Sequence, residues 1–156
     1  MTYNVIMNKK RYIILGLLLI SSALFLSPVL SQNKADYRTL YGKANSMLVA
    51  GNFDGAIHFY NLAIQQNPRS SDAYLGLGIA YKESGRYKEA SDATYKVIEL
   101  NPTYYQAYYN LGIVLENMNQ NEEAIVAYEK FLKEIPGAER FSDVKQRILR
   151  LKKKSK

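Results

Sequence analysis

Apolar positions along the chain set the first expectations. In residues 73–84, Tyr74, Leu77, Gly78 and Tyr81 fall at i, i+3, i+4 and i+7, the spacing of one helix face. The same words return 34 residues later as Tyr108, Leu111 and Gly112. Ala56, Ala90 and Ala124 recur at that interval, and so do Asn67-Pro68, Asn101-Pro102 and Ile135-Pro136. Gly51, Gly85 and Asn119 share one register between them. A tight helix–helix turn needs a residue that tolerates positive φ, glycine first and asparagine second. The prolines stop each second helix. The pattern therefore predicts three helix–turn–helix units. Ala44, Gly78 and Gly112 on the first helices, and the three alanines on the second, allow close helix contact.

Two segments stand outside the period. Phe141, Val144, Ile148 and Leu151 are spaced 3, 4, 3, with Arg140, Lys145, Arg147, Arg150 and Lys152 off the stripe. They predict an amphipathic helix covering the apolar end of a stack. Near the N-terminus, Tyr12 to Leu30 is apolar on all sides and follows Lys9, Lys10 and Arg11. Tyr12 to Leu26 suits the core of a secretory signal with a cut after Ser31. Tyr12 to Leu30 is also long enough for a membrane anchor. Both readings stay open. Either one puts the following residues on the extracytoplasmic side, because basic residues before an apolar run tend to stay in the cytoplasm. Contact with a membrane through residues 12–30 is expected if the leader is uncleaved.

With these residues in view, the chain resembles the tetratricopeptide repeat family, 34-residue helix–turn–helix units. The second repeat supplies Tyr74, Leu77, Gly78, Tyr81, Ala90 and Pro102 to the family pattern. The third supplies Tyr108, Leu111, Gly112, Ala124, Tyr128 and Pro136, and the first Leu40, Ala44, Ala56, Tyr60, Ala63 and Pro68. Lys43 replaces a leucine, Met47 and Leu115 replace aromatics, Thr94 stands where an aromatic is usual, and Val97 and Phe131 replace alanines. The resemblance spans residues 37–138. It implies an all-α fold, a right-handed helical solenoid of three units (37–70, 71–104 and 105–138). Residues 139–156 form a capping helix and basic tail, and residues 1–31 a hydrophobic signal or anchor helix.

Charge changes the picture little. Of the formal +7, residues 1–34 carry +4, residues 35–137 carry −3 and residues 138–156 carry +6. The basic character belongs to the two ends, so it does not argue for a nucleic-acid-binding domain. The chain has no cysteine, which removes disulfides, thiolate metal sites and cysteine nucleophiles. It has one histidine, His58, and no cluster of His, Asp and Glu at ligand or catalytic spacing. No cofactor, metal or enzymatic activity is expected. The glycines of YLGLGIAYKESG lack the spacing of a phosphate loop. Gly78 reads as a packing position, Gly85 as a turn and Gly76 as a variable site. The tyrosines at 104, 105, 108 and 109 read mostly as packing.

The resemblance also implies where a partner binds, in a concave groove lined by the first helices. Carried across, it presents Arg38, Tyr41, Gly42, Asn45, Leu48 and Val49 from the first repeat. The second presents Asp72, Leu75, Gly76, Ile79, Lys82 and Glu83, and the third Gln106, Tyr109, Asn110, Ile113, Glu116 and Asn117. Tyr41, Asn45, Tyr109 and Asn110 are the preferred contacts, with Ile79 and Lys82 beside them. Asparagine can both donate to and accept from a peptide backbone, and tyrosine adds apolar area with a polar tip. The subtype that clamps chaperone C-terminal carboxylates is disfavoured. Tyr41 and Gln106 replace its lysines, Gly76 an asparagine and Asn110 an arginine, and only Asn45 fits. The expected function is a non-catalytic protein-binding scaffold, exported or tethered. The alternative is a lipid- or nucleic-acid-contacting protein acting through its basic tail, Lys152 to Lys156.

Overall fold

A computed structural model describes residues 36–135, 137 and 141–154. Residues 1–35, 136, 138–140 and 155–156 lie outside them, and with them the expected leader, Pro136, Arg140 and the last two residues of the tail. The described residues form seven helices and no strand. These are α1 (Tyr37–Val49), α2 (Phe53–Gln66), α3 (Ser71–Glu83), α4 (Tyr87–Leu100), α5 (Tyr105–Asn117), α6 (Asn121–Glu134) and α7 (Ser142–Lys154). Among the described residues no helix is long and apolar enough to cross a membrane.

Each hairpin closes by the same device. Gly51, Gly85 and Asn119 adopt φ of 74°, 77° and 59°. Their amides bond the carbonyls of Leu48, Lys82 and Glu116, and the next residues' amides reach back to Met47, Tyr81 and Leu115. This is the Schellman arrangement, which satisfies carbonyls that a helix end otherwise leaves unpaired. The Asn-Pro pairs act at the other junctions. Proline pushes the residue before it out of the helical region, and Asn67 and Asn101 are extended at ψ 86° and 88°. Their side-chain oxygens then accept from the amides two residues on, Arg69 and Thr103, which fixes the entry into the next hairpin. Asp36, Asn52 and Ser70 cap α1, α2 and α3 through their side chains.

Within each unit the two helices pack on each other, and each second helix packs on the next first helix. The first helices also touch in series, α1 with α3 and α3 with α5, so their shared face is continuous. The small residues permit this. Ala44, Ala56, Ala90 and Ala124 are fully buried. A Cβ on Gly112 would stand 2.5 Å from the Tyr128 ring, so the ring occupies the space a side chain would need.

The end of the stack is covered by α7. Val144, Ile148 and Leu151 are buried in one core cluster with Leu111, Leu115, Tyr128 and Phe131. Glu116 on α5 clasps the cap. It accepts from Arg147 at 2.9 Å, Arg150 at 2.8 Å and the Tyr128 hydroxyl at 3.0 Å. Burial pushes its pKa upward, but the Arg147 and Tyr128 hydrogen bonds and the two arginine charges outweigh that and hold it below the ordinary glutamate value.

Candidate binding face on the first helices

Tyr41 and Asn45 stand one turn apart on α1, so their side chains lie on one face. Across from them α3 brings Asp72, Leu75, Gly76 and Ile79. Tyr104, just before α5, closes the far side, and Tyr60 reaches in from α2. Together they line a recess of about 160 Å³. Its polar atoms are mutually arranged. The Tyr60 hydroxyl donates to Asn45 Oδ1 at 2.6 Å, and the Tyr104 hydroxyl donates to Asp72 Oδ1 at 2.9 Å. Tyr41 stacks on Tyr37, with centroids 5.6 Å apart, and meets the Tyr60 ring edge-on at 6.0 Å.

These tyrosines are neutral donors at physiological pH. Burial pushes Tyr60 up to about 12, with Tyr41 and Tyr37 adding to it. Tyr104 is likewise pushed up to about 12, first by burial and then by its hydrogen bond to Asp72 and that residue's charge. Tyr41 is raised for the same first reason.

A second recess, of about 520 Å³, opens where α5 and α6 meet the start of α7. Tyr105, Tyr109, Phe131 and Phe141 form its aromatic wall, with Gln106 and Asp143 at its margin. The Phe131 ring lies 5.2 Å from Tyr109 and 5.1 Å from Phe141, the latter edge-on, a favoured aromatic geometry.

The structure brings three of the expected contacts, Tyr41, Asn45 and Ile79, into the first recess and places Tyr109 in the second. Lys82 and Asn110 line neither. Lys82 instead pairs with Glu83 at 2.8 Å, and Asn110 is half-buried on α5. Gly76 lines the first recess and is buried, and a Cβ there would collide with the Tyr60 ring. Besides any packing role, Tyr104 and Tyr105 each line a recess. Tyr60 was missed altogether as a groove residue. The usable signal was the match of a large side chain at Tyr60 with none at Gly76, which lets the ring pass between two repeats.

A further recess of about 590 Å³ is lined by α4, α5 and α6, through Tyr95, Ile98, Tyr108, Leu111 and Val126. Tyr95 is 50% exposed and Val126 66%. Nothing in the periodic pattern distinguishes these outward positions from ordinary helix surface.

Chemistry-bearing groups are sparse. His58 is exposed, with its ring edge against Phe59. Among the described residues no group of three His, Asp or Glu side chains is placed to hold a metal ion.

Tetratricopeptide repeat models match residues 47–94 and 94–126. No curated protein matches the chain. Among solved structures the fold is similar to the crystal structure of MamA, with 29% identity, 83% of this chain and 74% of that one covered, and a TM-score of 0.74. The first TPR of Spaghetti bound to the HSP90 peptide SRMEEVD is 21% identical, covering 78% and 94%, with a TM-score of 0.70. The Yersinia enterocolitica type III secretion chaperone SycD, in complex with a peptide of the translocator YopD, is 17% identical, covering 76% and 94%, with a TM-score of 0.71. The last two share the fold at low identity. A 34-residue register, the same turn at three hairpins, two adjoining model matches and these structural neighbours lead to one conclusion: the chain belongs to the tetratricopeptide repeat family.

Proposed function

We propose that the protein is a non-catalytic scaffold that holds a peptide or helix of a partner protein on the shared face of α1, α3 and α5. One observation carries this reading. That continuous face contains two aromatic-walled recesses in series, one lined by Tyr41, Asn45 and Ile79 and the other by Tyr105 and Tyr109. Rigid aromatic rings provide contact area at low entropic cost. Asn45 accepts from Tyr60 through its oxygen and its side chain also interacts with the Tyr41 hydroxyl, so it is preset at the edge of the recess. Repeat neighbours of the same fold have been captured with bound peptides, which supports a protein partner. Catalysis has no support in the sparse ionisable groups of this face.

The reading extends to location. The basic residues before the apolar run 12–30 favour an extracytoplasmic repeat domain, tethered or exported, and a protein-holding scaffold in that place would suit the assembly of a membrane or envelope complex. The test is a crosslinking pulldown of the full chain from native membranes. It compares the wild type with a Tyr41→Ala/Tyr109→Ala variant shown to fold by its circular dichroism melt. A protein captured by the wild type and lost in the variant supports the groove reading. Equal capture by both moves the contact to the face of Tyr95 and Val126 or to the basic end of α7, and overturns it.

A further inference from the structure

Both recesses have a carboxylate in their lining, Asp72 in the first and Asp143 in the second, but in the first the carboxylate is fixed by a tyrosine hydroxyl. Asp72 shares its wall with Tyr41, Tyr60 and Tyr104. Tyr104 donates to one carboxylate oxygen, which leaves acceptor capacity on the other. No lysine or arginine forms an ion pair with Asp72 among the described residues. Of the cations near it in the first two repeats, Lys82 pairs with Glu83 and Lys43 lies over the Phe59 ring, while Arg69, three residues before Asp72, is not part of the recess lining. Arg38 acts on Asp36 and is not part of the recess lining.

This arrangement selects by charge. Aromatic rings present a negative face that attracts a cation, and the carboxylate adds a full charge to the same spot. An anionic group would meet repulsion from both. Size narrows the occupant further. At about 160 Å³ the recess is smaller than the roughly 300–1,000 Å³ typical of small-molecule sites, and it suits one long side chain. Lysine and arginine carry apolar stems that lie well against aromatic walls.

Resting on the groove reading above, we infer that the recess of Asp72, Tyr41, Tyr60 and Tyr104 accepts a lysine or arginine side chain from an extended segment of a different protein. The cation meets Asp72 and the stem lies against the Tyr41 and Tyr104 rings. The larger recess of Tyr105, Tyr109, Phe131 and Phe141 then takes an apolar side chain of the same segment. The described basic end of this chain is not such a segment. It is carried on α7, whose Val144, Ile148 and Leu151 are buried against the third repeat, and Lys152 is held by Glu129.

The test is selection of a randomised peptide library displayed on phage against the full chain in detergent, repeated with Asp72→Asn. Asparagine keeps an acceptor for Tyr104 and removes only the charge. The wild type should enrich peptides carrying lysine or arginine near a large apolar residue. Asp72→Asn should keep the apolar preference and lose the basic one, with a selected peptide weakened about fivefold. Peptides enriched without basic residues, or a basic preference unchanged in Asp72→Asn, overturn the inference and leave the groove reading standing. Failure to enrich any peptide overturns both. Sedimentation of the two proteins covers the remaining occupant. A self-associated wild type that Asp72→Asn dissolves puts a second copy in the recess and overturns the assignment to a different protein.

Discussion

The hydroxyl of Tyr60 donates a 2.6 Å hydrogen bond to the side-chain oxygen of Asn45, and this bond ties the core to the recess between the first two repeats. Tyr60 is 1% exposed, so its ring belongs to the interior, while its polar tip is spent on a residue that lines the first recess. Asn45 is thereby held in one orientation before any ligand arrives. Preorganisation of this kind lowers the entropic cost of binding.

Asn45 therefore reports on stability and binding together. Asn45→Ala strands the Tyr60 hydroxyl and should destabilise by about 1–2 kcal/mol, lowering the melting temperature by about 3–8 °C. Tyr60→Phe removes the same bond with little change in shape and should cost less. Thermal melts followed by circular dichroism check the order. Equal melts for Asn45→Ala and wild type would show that the bond contributes nothing.

Two helical glycines should respond oppositely to alanine. Gly42 has open space where a Cβ would go, so Gly42→Ala should stabilise by about 0.5–1 kcal/mol through helix propensity. At Gly76 the new methyl meets the Tyr60 ring. That ring is buried and anchored by Asn45, so it cannot swing aside, and Gly76→Ala should destabilise by about 1–3 kcal/mol. Urea titrations of both variants against wild type measure the difference in sign.

The contact between α3 and α4 is close enough to test directly. Ala90 is fully buried, its carbonyl accepts from the Thr94 hydroxyl, and a Cβ on Gly78 would lie 3.4 Å from that same carbonyl. Ala90→Leu should therefore overpack the second repeat and cost about 1–3 kcal/mol. An unchanged melting temperature would contradict the close packing.

The cap should loosen in acid. The Glu116 pKa is lowered from 4.5, so the folded state binds its proton less readily than the unfolded chain. The stability this confers is fully present above the unfolded value and is lost as the pH falls through the lower, folded one. Glu116→Gln should cost about 1–2 kcal/mol at neutral pH, since it weakens a half-buried pair of arginine contacts. The gap between wild type and variant should then narrow as the pH falls below the ordinary glutamate value of 4.5 and through the lower folded one. Urea unfolding at a series of pH values reads this gap, and a constant gap would mean that the Glu116 charge does not hold α7 in place.

What was legible in the sequence was the part governed by helical phase and by neighbours close along the chain. The spacing of Tyr74, Leu77, Gly78 and Tyr81 names a face. The shared register of Gly51, Gly85 and Asn119 names the turns, because a positive φ is a local requirement. The stripe of Val144, Ile148 and Leu151 names the cap. Tertiary structure decided which side chains of the first-helix face meet. Tyr60 enters the recess only because Gly76, on the next repeat, leaves room for its ring. Asp72 and Tyr104 are joined although 32 residues separate them, while Lys82 and Asn110 share the expected phase yet line neither recess. Periodicity tells a residue which way to point. The distance between adjacent repeats, set by the volumes packed between them, determines what it reaches.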